Sequence, residues 1–357
     1  MRFSRLATVT SVWFCSLALL HAGETKNVIL VSADGLRSEE LFAGFDRSLV
    51  EKPDSPLVKK YHLATPEQRR TRLLPFFWRE FGTNGVIIGN RSKGSTFRLR
   101  NPHRFSYPGY AEILTGQYLE AISSNDPVRI PRETVLEYVA RQLSLPPTGV
   151  ALFGAWDILY YAAAKTEGAI TANSGYKRLP PSFEGSPLAE WDRLQFDILT
   201  PWDSVRDDAV TFNLALEYLK LHKPRLLYIA LGQPDDWSHD GRYDRALQSI
   251  EHLDRCLQTL WTTLQSLPEY RGNTTLIVTT DHGRGTSRKS WKSHGKDVKG
   301  AEYVWLATLG PDTPGIGELS SGSYYQDQTA ATILRLLELD SKDFNPMAGA
   351  PIDAVFK

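Results

Sequence analysis

The chain has 357 residues, 41% of them hydrophobic and 23% charged, and balances 41 acidic against 41 basic side chains, which reads as a globular protein able to bury a large core. Zero net charge excludes a nucleic-acid binder held by bulk electrostatics, because such proteins carry a basic excess or a concentrated basic face; local basic patches stay open.

Residues 1–22 have the layout of a secretory signal peptide, with Arg2 and Arg5 at the start, an apolar centre from Val12 to Leu20, and the small residues Ala22 and Gly23 at the end. The apolar run is short for a membrane span, and no later segment is long and apolar enough to cross a bilayer; an uncleaved N-terminal anchor is the alternative. Cleavage would export the protein to the periplasm or the outside of the cell, remove Cys15 and leave Cys256 alone. The expected mature part, a single domain over 23–357, then depends on its core and not on a disulfide.

The runs 26–34, 85–89, 149–154, 225–231, 274–281 and 303–309 are continuous, apolar and bounded by turn residues, as strands buried on both faces are. Between them, 133–143, 207–222, 243–267 and 328–339 carry helical patterns. Strands alternating with helices predict an α/β fold with a mostly parallel central sheet and helices on both faces. The Pro-, Gly- and Ser-rich stretch at 168–203 reads as an insertion, either a lid or rim or a surface excursion without a role.

In open α/β sheets ligands bind at the carboxyl ends of strands. Asp34 ends the first predicted strand, Asp281 and His282 end the fifth, and "PDDWSHDG" follows the fourth. Singly, each has an ordinary reading as a helix cap, a turn residue or a packing residue. Together they set acids and imidazoles at the same end of three strands. Asp235 and His239 are four residues apart, so a helical turn would bring them to one face, where they could grip one ion. His294 follows His282 in a Gly- and Lys-rich loop able to fold back over the site. Three carboxylates and three imidazoles suffice for two divalent ions, and mixed nitrogen and oxygen donors suit zinc best and manganese less well.

The pieces "VSADGLR", "SYPGYAEILTG", "QPDDWSH", "TTDHG" and "SHG" occur in this order between residues 28 and 295. In them the chain resembles the alkaline phosphatase superfamily, and within it the nucleotide pyrophosphatase/phosphodiesterase branch. The resemblance implies an alkaline phosphatase-like fold and two metal sites, one held by Asp34, Ser106, Asp281 and His282 and the other by Asp235, His239 and His294. It also implies that Ser106 is the nucleophile of a phosphoester hydrolase acting on a small-molecule monoester or diester through a phosphoseryl intermediate. The chemistry has its own logic: a serine hydroxyl is a poor nucleophile near neutral pH, and a dication favours its ionised form. A helix starting near Gly109 would point backbone N–H groups at the anion.

Two departures matter. Where the resemblance leads one to expect an asparagine three residues after the nucleophile, this chain has Gly109, so another donor must meet the phosphoryl oxygens. The run 89–104 and the loop with Arg284, Arg288, Lys289 and Lys292 offer candidates; solvated surface charge is the other reading of these side chains. "SYPGYAEILTG" also resembles the sulfatase signature, but Tyr110 stands at the position of its arginine. The alternatives are therefore a sulfate-ester hydrolase, a phosphoglycerate mutase-like metalloenzyme, and a metal-binding relative without turnover. The aromatics Trp156, Tyr160, Tyr161, Trp237 and Trp291 could stack on a base or aryl group or serve as packing.

Overall fold

A computed structural model describes residues 23–198 and 200–357. The expected signal peptide, with Cys15, lies outside the described residues. Among the described residues eleven strands run in chain order: β1 Asn27–Ala33, β2 Val86–Ile88, β3 Thr96–Arg98, β4 Val150–Gly154, β5 Thr171–Ser174, β6 Leu226–Leu231, β7 Thr274–Thr279, β8 Tyr303–Val304, β9 Leu306–Leu309, β10 Gly317–Glu318 and β11 Ser323–Tyr325. Eight form one sheet in the order β10-β2-β9-β7-β1-β6-β4-β5, and β11-β3-β8 form a second, smaller one. In the large sheet only β9 runs against its neighbours β7 and β2. The fold is α/β with a mostly parallel sheet flanked by helices, as the alternating pattern predicts.

Alternation along the central strands explains the two-sided burial. Ile29 and Val31 of β1 join Leu227, Ile229, Leu276 and Val278 on one face, under the helices Pro75–Asn84, Asp208–His222 and Tyr243–Ser266. Val28 and Leu30 join Leu226, Tyr228 and Ile277 on the other, under Ser106–Thr115, Val135–Gln142 and Thr329–Leu336. Every residue of β1, β6 and β7 is buried, so each strand reads as a continuous apolar run and not as an alternating one. No helix among the described residues is long and apolar enough to cross a membrane.

Two segments differ from the sequence reading. The run 303–309 is broken at Trp305: β8 belongs to the small sheet and β9 to the large one. The Trp305 indole is fully buried and donates Nε1–H to Leu36 O at 2.9 Å, a packing demand that a strand pattern does not reveal. The stretch 168–203 is divided. Thr171–Ser174 is the edge strand β5, while Pro187–Leu194 forms a helix packed against Asp208–His222. Buried Arg206 ties the two parts together by donating to Asn173 Oδ1 at 2.7 Å and Gln195 Oε1 at 3.3 Å.

Candidate metal centre

The centre is assembled by the carboxyl ends of β1, β6 and β7. Parallel pairing puts Ala33 beside Leu231, and the Asp34 N–H continues the ladder by donating to Leu231 O at 2.8 Å. β7 runs on through Thr280 into Asp281 and His282, both fully buried. Gly35 has φ +57°, and a side chain there would collide with Asp235, so the turn after β1 requires glycine. Its N–H donates to Asp281 Oδ1 at 3.0 Å, locking one strand end to the next.

Around this point stand Asp34, Asp281, His282 and Ser106. His282 Nε2 lies 3.3 Å from Asp34 Oδ1, 3.5 Å from Asp281 Oδ2 and 3.2 Å from Ser106 Oγ. His282 Nδ1–H donates to Gly283 O at 2.9 Å, which turns Nε2 toward the other three groups. The Tyr110 O–H donates to Asp34 Oδ2 at 2.7 Å, so the tyrosine in the place of the sulfatase arginine orients a carboxylate. Burial draws the His282 pKa down, but Asp281 and Asp34 outweigh it and hold it up at about 9. Burial, and then the Asp34 charge, raise Asp281 to about 8.

The second group is built differently. Asp235 and His239 lie on the helix Gln233–His239, and their (i, i+4) spacing brings His239 Nε2 to 2.9 Å from Asp235 Oδ2. The loop after β7 returns His294, whose Nε2 is 2.9 Å from His239 Nε2 and 3.9 Å from Asp235 Oδ2. The His282 and His294 rings are 4.0 Å apart between centroids, so the two groups adjoin. Burial, followed by repulsion from His282 and Arg284, pushes His294 far below the ordinary imidazole value.

Ligand atoms within mutual reach of a single ion form two sets, Asp34–Asp281–His282 and Asp235–His282–His294, with His282 in both. Among the described residues the buried oxygens Asp34 Oδ1 and Asp281 Oδ2 have no hydrogen-bond partner, and Asp235 Oδ1 meets the Arg284 guanidinium without hydrogen-bond geometry. Buried carboxylate oxygens without donors, facing imidazole nitrogens, are what a divalent cation satisfies, and the residues present fit one. The structure thus brings together all seven residues singled out in the sequence.

Other expectations change. The helix begins at Ser106 and not near Gly109, with Phe105 as its cap residue. A Cβ at Gly109 would stand 2.3 Å from Asp281 O, so the helix packs too tightly on the strand end for an asparagine there. Gln326 seals this contact by donating to Gly109 O and Asp281 O, each at 2.9 Å. Arg284, grouped in the sequence with surface cations, is buried: Nε donates to Trp291 O at 2.9 Å, and Nη1 touches Asp235 Oδ1 without hydrogen-bond geometry. Arg288 is exposed and pairs with Glu51. Trp291 is core, packed on Tyr243, and Trp237 packs on Trp202.

Asp34, Ser106, Asp235, His239 and His294 open into a cavity of about 250 Å³ whose walls include Asn125, Trp156, Trp202 and Ser204. Asn125 was missed in the sequence. Its Oδ1 accepts the Tyr107 N–H at 3.0 Å, which leaves its amide N–H groups as donors at the cavity wall. It sits in an irregular "SSNDP" segment, and no spacing rule connects it to Ser106.

Comparison with known proteins bears on this arrangement. Residues 203–331 match the family described as Metalloenzyme superfamily, a span that contains Asp235, His239, Asp281, His282 and His294. A 69-residue stretch is 29% identical to a 2,3-bisphosphoglycerate-independent phosphoglycerate mutase of Gracilaria tenuistipitata var. liui, covering 19% of this chain and only 12% of that enzyme. Among solved structures, a protein in the alkaline phosphatase superfamily from Vibrio parahaemolyticus aligns with TM-score 0.55 and 13% identity over 92% of this chain and 69% of its own. The phosphonate monoester hydrolase of Agrobacterium radiobacter gives 0.55 and 14% over 88% and 74%, and murine ectonucleotide pyrophosphatase/phosphodiesterase 5, solved with AMP, gives 0.50 and 14% over 88% and 96%. At these identities the structures speak to the fold. The segment that matches the Metalloenzyme superfamily holds five of the seven candidate ligands, and the fold is alkaline phosphatase-like.

Proposed function

We propose that the protein is an exported two-metal hydrolase of phosphate esters, monoester or diester, acting through a phosphoseryl intermediate at Ser106. The placement of Ser106 carries the reading: it is the first residue of a helix, 5% exposed, with Oγ 3.2 Å from His282 Nε2 and on the wall of the cavity shared with both ligand groups. Asp34, Ser106, Asp281 and His282 would hold one ion, and Asp235, His239 and His294 the other, with zinc the best match to the donors. Bound dications supply compensation for phosphoryl charge and favour the ionised serine.

The rest falls to the chain. Ser106 Oγ loses its proton and forms a bond to phosphorus as the ester alcohol departs with a proton, and water then cleaves the phosphorylated serine to restore the hydroxyl and release phosphate from a monoester or a phosphate monoester from a diester. The positive end of the helix Ser106–Thr115 favours the anion. Asn125 supplies an amide donor to a phosphoryl oxygen, the role that Gly109 cannot take. The names of the Agrobacterium radiobacter and murine neighbours, one a phosphonate ester hydrolase and the other a phosphodiesterase, support ester cleavage at phosphorus.

The test is a panel of aryl phosphate monoesters, diesters and an aryl sulfate, run on protein loaded with zinc or manganese. Ser106→Ala should lose turnover by roughly three orders of magnitude or more while keeping residual hydrolysis from the remaining site. Rapid quench of the wild type should trap phosphoserine at 106. Near-normal turnover by Ser106→Ala would overturn the nucleophile, and formylglycine at 106 would transfer the protein to sulfate-ester chemistry.

A further inference from the structure

A cavity of about 620 Å³ lies along the free edge of β5, away from the metal centre. Ala163, Ala164, Ile170, Leu179 and Phe183 give it an apolar wall. Its charged lining is Arg129, paired with Glu167 at 3.6 Å, Arg178, paired with Asp192 at 3.3 Å, and Lys177. Lys177 has no ion pair among the described residues, and its Nζ rests 3.9 Å above the Tyr160 ring. At the other end His222 Nε2 is buried without a hydrogen-bond partner. An apolar hollow with a cationic mouth complements a molecule that is part hydrocarbon and part anion.

This cavity does not stand apart from the centre. Tyr160 and Lys177 also line a second hollow of about 330 Å³, and Ser204 is common to that hollow and to the cavity at the metal centre. From β1 to β5 the sheet makes three inter-strand steps through β6 and β4, a distance of about 14 Å at roughly 4.8 Å per step.

We propose that the three hollows form one groove for a single substrate, a phosphate ester of a long amphipathic alcohol whose remote apolar end lies along β5 with an anionic group at Lys177 and Arg129. The proposal rests on the ester-hydrolase reading and adds the substrate class to it. Lys177 is exposed and Ala172, on β5, is half-buried in the cavity wall, so Lys177→Glu and Ala172→Trp alter the groove without touching the metal centre.

Two measurements test it. Calorimetric titration with dodecanoate should show binding to the wild type and at least tenfold weaker binding to both variants. In turnover, a p-nitrophenyl phosphodiester carrying a 12-carboxydodecyl group should exceed its ethyl counterpart at least tenfold in kcat/KM. That preference should collapse in both variants, with the ethyl ester within about twofold of wild type. Equal kcat/KM for the two esters together with no dodecanoate binding overturns the groove while leaving the hydrolase intact. A protein inert on both esters and on aryl monoesters overturns the hydrolase reading and the substrate class with it, and dodecanoate binding abolished by Lys177→Glu then upholds only the β5 cavity as a site for an amphipathic anion.

Discussion

Asp34, Asp281 and His282 stand on strand ends with side chains no more than 6% exposed, whereas His239 is 47% exposed on a seven-residue helix and His294 arrives on a loop. The first group is held from behind at every member: Tyr110 on Asp34, the Gly35 N–H on Asp281, the Gly283 carbonyl on His282. The second has Arg284 pressed against Asp235, a fixed positive charge where a cation would bind. One group is preorganised by the sheet, and on the two-metal reading the other would be completed by its ion. The difference predicts a tight ion at the strand ends and a weaker one at Asp235, His239 and His294.

The comparison breaks hardest at the residue common to both groups. On the two-metal reading, His282→Ala should remove the strand-end ion, loosen the second, whose candidate set His282 also reaches, and lower turnover by about a thousandfold or more. Plasma emission metal analysis of dialysed protein checks it; two ions retained per chain would sink the shared-ligand geometry. His239→Ala should act on one side only, releasing the weaker ion and keeping the tight one, with a loss nearer a hundredfold. If the ion released in His239→Ala is instead the tight one, the ranking of the two groups is reversed.

These residues also show what a sequence can carry. The β1, β6 and β7 runs were legible because both of their faces are buried, and Asp34, Asp281 and His282 because strand ends in parallel sheets collect function. Asp235 and His239 were legible through helical spacing. Arg284 was not: it lies in a loop crowded with cations, and only the fold decides which of them turns inward and which, like Arg288, stays in water. Asn125, Tyr110 and the steric ban on a side chain at Gly109 are consequences of how the Ser106 helix docks on the end of β7, a tertiary contact that leaves no periodic mark. β5 escaped notice because four half-polar residues at a sheet edge lack the apolar run of an inner strand.

Arg284→Met sharpens the contrast from the other side. Removing the buried guanidinium should tighten the weaker ion by about tenfold, because a unit positive charge beside a dication in partly buried surroundings costs a few kcal/mol before relaxation. Its lost bonds to the Trp291 and Lys292 carbonyls should lower thermal stability at the same time. Competitive titration with a zinc indicator reads the affinity, and an unchanged value would mean that Arg284 swings clear when the ion binds.

The smallest effect separates the groups by pH in metal-free protein. His282 is raised from 6.5 to about 9, so its protonated form stabilises the fold; this contribution is complete below pH 6.5 and is lost as pH climbs through about 9. Asp281, raised from 3.8 to about 8, prefers its proton in the folded state, so its contribution falls from about pH 4 up to about 8 and overlaps that of His282 only at the upper end. His239 and His294 are lowered, so the folded state resists charging them, and their penalty grows as pH drops below 6.5. The His282 side therefore weakens the apoprotein on the alkaline side and the pair His239 and His294 on the acid side. Thermal unfolding in chelator from pH 5 to 10 should show His282→Ala flattening the alkaline arm relative to wild type by a few degrees, and His294→Ala flattening the acid arm. Added zinc requires deprotonated ligands, so its stabilisation should increase with pH, opposite to the alkaline trend of the apoprotein. If both variants alter the same arm, the two groups titrate as one, and the division between a preorganised and an ion-completed half is wrong.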